Sequence, residues 1–300
     1  MLMMASLASA WNIVGGYAGQ FSFGHAAYFG AGAYTTSILL TTGNPGIPLC
    51  VAAGVAVSCV IALLTGAIVF RLRGHYFALA SIAVAEIVRL TALNLDITGG
   101  AQGILVTDVS FGALDMNSKN PFYYAMLFLL VFTLCLSAWL RRTRAGFYLL
   151  AIREDQDAAA SLGINLYLWK NMALLLSAAL ASVAGSIYAV YIRFIDTSAV
   201  LSLRLSIEII LTTIIGGIGT LWGPVLGATL LVSLAEALRS NMIGAFLVNA
   251  GAVSEGSAIG KFLNNNLAHA HVLVYGIITV LCILNLPKGI LGMFRRKGSA

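Results

Sequence analysis

The sequence predicts an all-α, polytopic transmembrane helical bundle, and three observations carry that prediction. Hydrophobic residues make up 60% of the chain against 9% charged. The stretch 1–70 contains no Asp, Glu, Lys or Arg. Several apolar runs are long enough to cross a hydrocarbon core of about 30 Å as helices. A soluble domain of this length cannot hide so much apolar surface. Lipid offers no partner to backbone N–H and C=O groups, and the runs are continuous rather than alternating, so helices rather than barrel strands are the spanning form.

Taken in order, the runs place spans at 1–15, 22–41, 47–70, 75–95, 121–140 and 168–192, then a Gly-interrupted pair at 205–217 and 223–239, then 270–286. That makes about nine spans. The opening "MLMMASLASA" lacks a basic leader and is too short in its apolar part for a signal peptide, so it reads as part of a first helix. No linker divides the chain, and residues 1–300 form a single transmembrane domain. Cys50, Cys59, Cys135 and Cys282 fall inside apolar runs with no CxxC pair, which makes them small core residues rather than a disulfide or metal framework.

Orientation follows from the basic residues, which resist translocation. Placing the 141–167 loop in the cytoplasm puts eleven Lys and Arg inside and five outside, with Arg89 in a span. The C-terminus is then cytoplasmic, and the polar segments 96–120 and 240–269 are external loops. A net charge of +6 is too small and dispersed to indicate nucleic acid.

Two glycine-rich turns, "VGGYAGQFSFGHAAYFGAGAY" at 14–34 and "IGGIGTLWGPVLGA" at 215–228, both fall at the cytoplasmic end of an out-to-in helix followed by an in-to-out helix. An internal repeat and a general use of glycine in membrane helices both account for the match. Gly15, Gly16, Gly19, Gly216, Gly217 and Gly219 permit irregular turns that could line a substrate path, and Thr98, Gly99 and Gly100 an outer rim.

Charges at membrane depth are candidates for function. Glu86 and Arg89 share one face of the fourth span, either lining a polar path or forming an intrahelical ion pair of structural use. Glu208 faces a cavity or reaches the outer interface. His25 and His75 belong to no ligand-spaced cluster and read as hydrogen-bonded interfacial residues rather than proton relays. His269 and His271 lack neighbouring ligands, so no metal site is expected. There is no G-x-x-x-x-G-K-[ST] loop, which excludes ATP hydrolysis here by a Walker-type site. Uphill transport by this chain would then draw on an ion gradient or on another subunit.

"REDQDAAASLGINL" at 153–166 interrupts this apolar chain with four charges in five residues. Asp155 and Asp157 fall in a first helical turn, where negative charge suits exposed N–H groups, three alanines favour helix, and Gly163 is a stop. The pattern predicts a short cytoplasmic helix whose small side chains fit a narrow groove on a partner; a solvated loop is the alternative.

"DAAASLG" at 157–163 resembles the E-A-A-x-x-x-G coupling motif of ABC importer permeases, with Asp for Glu and without the usual I-x-L-P tail. Around it, "GYAGQFSFGHAAYFGAGAYT", "RGHYFALASIAVAEIVRL", "TGGAQGI", "GFYLLAIREDQDAAASLGIN", "IGGIGTLWGPVLGA" and "LPKGILGMF" follow in order. Together they resemble the LivM-type permeases of branched-chain amino acid ABC importers.

The resemblance implies a type II-like permease subunit, not itself an enzyme, in a bacterial inner membrane. It implies ten spans in the complete family pattern, with one helix ahead of the "GYAGQ" block. The implied partners are a second, LivH-type permease, two cytoplasmic ATPase subunits that carry ATP and Mg, and a periplasmic binding protein. This chain would then hold no cofactor of its own. Asp157, Ala158, Ala159 and Gly163, flanked by Arg153 and Asp155, are the implied ATPase-coupling residues. The implied solute is leucine, isoleucine or valine, with urea, amides or small organic acids as alternatives within the family. Outside the family, an ion-coupled secondary transporter using Glu86 and a scaffolding subunit without a pore are the competing readings.

Overall fold

The structure, a computed structural model, describes residues 1–43, 45–72, 74–106, 120–239, 276, 280 and 289–291. Eight of the expected spans fall within or largely within these residues, and each is helical. They are α1 (Leu2–Asn12, continued by a π-helical turn Ile13–Tyr17), α2 (His25–Thr42), α3 (Ile47–Val69), α4 (His75–Asn94) and α5 (Asn120–Arg142), then, beyond the cytoplasmic segment, α8 (Leu166–Ile192), α10 (Leu203–Gly216) and α11 (Gly223–Arg239). Five helical segments among the described residues are long and apolar enough to cross a membrane: Ile47–Val69, Tyr76–Asn94, Asn120–Arg142, Leu166–Ile192 and Thr197–Gly216. The expected span at 270–286 is described only at residues 276 and 280, both helical. Cys282, His269, His271, the 240–269 loop and residues 107–119 lie outside the described residues.

Helix α2 is the centre of the bundle, buried against α3 and α8. Because its surroundings are protein rather than lipid, it tolerates Tyr, Thr, Ser and His along its length. Small residues let the backbones approach. A Cβ on Gly32 would overlap the Ser182 carbonyl, one on Gly185 would overlap that of Phe29, and one on Gly54 would lie 3.2 Å from Gly32 Cα. Hydroxyls fasten the same seam: Ser58 donates to Tyr28 O at 2.8 Å, and Thr36 donates to Ser186 Oγ at 2.9 Å.

The 141–167 segment holds more helix than a loop with one short helix. Helix α5 runs on through Arg142, and α6 (Arg144–Glu154) precedes α7 (Gln156–Ser161). Leu149 and Ile152 on α6 are fully buried. The arginines at its two ends conceal an amphipathic stretch whose apolar side packs back on the bundle.

At the other end of the molecule, Ile104–Leu105 (β1) pairs antiparallel with Phe194–Ile195 (β2), and the one-turn helix α9 (Thr197–Val200) leads into α10. The turn before β1 is closed by Thr98, whose hydroxyl donates to the carbonyls of Ala92 and Leu95. Thr98, Gly99 and Gly100 therefore terminate α4 and lead into the β pair.

Candidate functional site: a cytoplasmic helix joined to two glycine turns

Helix α7 is built as its sequence requires. Asp155 caps it, its carboxylate accepting from the backbone N–H of Asp157 at 2.8 Å and of Ala158 at 3.0 Å. At the far end Gly163, at φ +82°, donates to Ala160 O and Ile164 donates to Ala159 O. This paired closure needs a left-handed residue at that position, which glycine supplies without strain. Asp157 lies in the first turn, where negative charge is favourable.

Two contacts seat α7 on the bundle. Ala159 is 2% exposed, its methyl turned inward. Gln156 Oε1 accepts from Lys170 Nζ at 2.8 Å. Lys170, on the first turns of α8, is itself buried and stands 6.0 Å from the Phe70 ring centroid. A buried ammonium requires such partners. The outward surface of α7 is made of Asp157, Ala158, Ala160 and Ser161, followed by Leu162, which is 80% exposed.

Arg153 points the other way. From the last turn of α6 its Nη1 donates to Gly16 O at 2.8 Å. A Cβ on Gly19 would lie 3.0 Å from Arg153 Cγ, and one on Gly219 would overlap Arg153 Nη1. The two turns also meet each other: Asn12 Oδ1 accepts from Gly219 N–H at 2.8 Å and Asn12 Nδ2 donates to Thr220 O at 2.8 Å. Gly16, Gly19 and Gly219 thus share one site with Arg153, although the sequence suggests two separate groups.

The remaining glycines of these turns serve packing. A Cβ on Gly15 would overlap the Trp11 ring, which is buried and donates from Nε1 to Ser22 O at 2.7 Å. Gly216 would meet the Gly223 carbonyl, and Gly217 (φ +125°) receives Gly289 against its backbone. Thr98, Gly99 and Gly100 are not part of this site. They sit beyond the far end of α8, whose 27 residues span about 40 Å at 1.5 Å per residue.

Other charged and polar candidates resolve into pairs. Arg89 Nε donates to both carboxylate oxygens of Glu86, at 2.9 and 3.1 Å, with the side chains 28% and 45% exposed on the outer face of α4. Glu208 accepts from Arg204 Nε at 2.9 Å, and both line a cavity of about 570 Å³ together with Phe29, Tyr188, Thr212 and Glu236. His25 is wholly buried rather than interfacial, with Nε2 2.6 Å from Ser177 Oγ. Ser177 gives its one proton to Ala10 O at 2.7 Å, so the His25 Nε2–H is the donor of that pair.

Asn12 and Lys170 were not singled out by sequence reasoning. The usable signal was a carboxamide just before a glycine break inside an apolar run, and a lysine inside a span start.

Comparison with known proteins agrees with this architecture. A family model described as "Branched-chain amino acid transport system / permease component" matches residues 2–283. The high-affinity branched-chain amino acid transport system permease protein LivM of Salmonella typhimurium is 30% identical over 253 residues, covering 76% of this chain and 59% of the relative. LivM of Escherichia coli is 29% identical over the same shares. BraD of Pseudomonas aeruginosa, another such permease protein, is 27% identical over 259 residues, 80% of this chain and 83% of the relative. The chain thus spans only 59% of the length of the two LivM proteins. No solved structure gives a significant match.

Proposed function

Because the chain belongs to the branched-chain amino acid transport system permease family, we propose that it is a transmembrane subunit of an ATP-driven importer of branched-chain amino acids. In this reading it pairs with a second, LivH-type permease in the inner membrane, its C-terminus cytoplasmic. Two ATPase subunits, which carry ATP and Mg, dock on the cytoplasmic face, and a periplasmic binding protein delivers the solute.

The observation that carries the reading is α7. It is six residues long, capped at both ends, tied to α8 through Gln156 and Lys170, and presents small side chains and Leu162 outward. A rigid, low-profile helix of this kind suits a groove on a partner, and its tether gives an imposed displacement a route into the bundle. Alternating access then follows when the ATPases close and open, shifting the bundle between two populated states.

The test is reconstitution of the chain with the second permease, the ATPases and the binding protein in proteoliposomes. Labelled leucine should enter only with ATP inside the cytoplasmic compartment, and neither a proton nor a sodium gradient should replace it. Uptake driven by an ion gradient without the ATPases would overturn the reading. Competition by isoleucine and valine, against urea, amides and short organic acids, assigns the solute class.

A further inference from the structure

We infer that Arg153 is a positioning residue that carries displacement of α7 into the glycine turns 15–19 and 216–223, coupling the cytoplasmic helix to both helix breaks at once. The inference rests on the importer reading above and adds to it the route by which the partner's motion reaches the bundle.

Three features place Arg153 in this role. It lies two residues before Asp155, the cap of α7, so α7 cannot tilt about its start without disturbing the last turn of α6. Its neighbour Ile152 is fully buried, which leaves the arginine side chain as the flexible part of that turn. Its guanidinium ends on the backbone itself, at Gly16 O, rather than on another mobile side chain.

The two turns are shaped to receive it. Gly19 and Gly219 adopt φ of +67° and +74°, and a side chain at either would press on Arg153. Gly16 O lies 3.2 Å from where a Gly219 Cβ would stand, so the turns have almost no space between them. Asn12 fixes them to one another by two hydrogen bonds. A force on Gly16 is therefore shared with Gly219. The first turn joins α1 to α2, and the second joins α10 to α11. Displacing both together re-angles two helix pairs around the central α2, a two-state movement that α7 and the bundle can bias from opposite sides.

Lysine in place of arginine keeps the charge and loses the planar fork that reaches Gly16 O, while alanine removes both. The experiment compares Arg153→Ala, Arg153→Lys and the nearby control Arg144→Ala in the complete reconstituted transporter, recording solute uptake and ATP hydrolysis in the same vesicles. Arg153→Ala should reduce uptake about tenfold or more while hydrolysis stays within about twofold, as expected when one charge-assisted hydrogen bond is lost from the coupling route rather than from the dock. Arg153→Lys should fall between, and Arg144→Ala should match the parent. A purely structural arginine would lower uptake and hydrolysis together, and an idle one would change neither; either result overturns the inference.

Hydrogen exchange on the purified chain tests the contact without any ATPase. Arg153→Ala should speed exchange at the amides of both turns about tenfold, and Arg144→Ala should not; unchanged exchange at both turns also overturns the inference. If the parent transporter shows uptake independent of the ATPases, the importer reading fails by itself, and with it the coupling route that rests on it. The exchange result then decides only whether Arg153 holds the two turns together.

Discussion

Asn12 and Gly219 stand 207 positions apart in the chain, yet the Asn12 carboxamide accepts the Gly219 N–H at 2.8 Å and donates to the next carbonyl at the same distance. One buried side chain thereby satisfies two backbone groups of a turn that has left the helical ladder. Asn12→Ala strands both groups, at a cost of about 1–3 kcal/mol. Its melting temperature in detergent should fall and exchange at Gly219 should rise. Asn94→Ala, which removes an exposed amide bond to Leu90 O on α4, should do neither.

The outward and inward faces of α7 separate docking from folding. Ala158→Arg adds bulk to the exposed face, so ATP-driven uptake should be lost while the melting temperature and size-exclusion profile stay those of the parent. Ala159→Arg forces a charge into a buried position and should lower stability as well. Gly163→Glu has open space around it, but its left-handed backbone penalises any side chain by about 1–2 kcal/mol. That variant should fray α7, which faster exchange at Ile164 would report.

Glu86 and Arg89 form a two-pronged ion pair within α4. Neutralising one partner leaves the other uncompensated at a face that meets lipid or another subunit. Glu86→Gln should therefore lower the melting temperature by a few degrees, and the double variant Glu86→Gln with Arg89→Gln should recover most of it. Normal uptake by the double variant assigns the pair to structure. Lost uptake at parental stability would assign it to the solute path instead.

Gly185 and Gly43 present the two extremes of glycine use. Gly185→Ala drives a methyl into the Phe29 carbonyl in the central seam and should cost about 1–3 kcal/mol, seen as a smaller monodisperse fraction after extraction. Gly43 has nothing within 4 Å of where an added methyl would stand, and its backbone is open to any residue. Gly43→Ala should stay within about 0.5 kcal/mol of the parent.

The spans were legible in the sequence because lipid imposes a length and a polarity on each helix independently of its neighbours. The α3 boundary at 47 and the α11 boundaries at 223 and 239 follow from composition alone. Both ends of α7 were legible for the same local reason, a capping Asp and a left-handed Gly. Helix α6 was hidden, since its arginines mask a buried Leu149 and Ile152 whose partners lie elsewhere in the chain. The joining of Gly16 to Gly219, and of Arg153 to both, depends on how distant helices pack, and no periodicity within either turn encodes it. The same holds for Lys170, whose burial depends on Gln156 and Phe70.

Asp155 closes α6 and opens α7, so the two helices share a single joint residue. Their faces are therefore locked in rotational phase. Adding or deleting one residue at this joint would turn α7 by about 100° about its axis, the angular step of an α-helix. Ala159 would swing out and Ala158 or Ala160 would swing in, with every side chain still present. The number of residues between Arg153 and Ala159 is thus as much a determinant of what α7 offers to a partner as their identities.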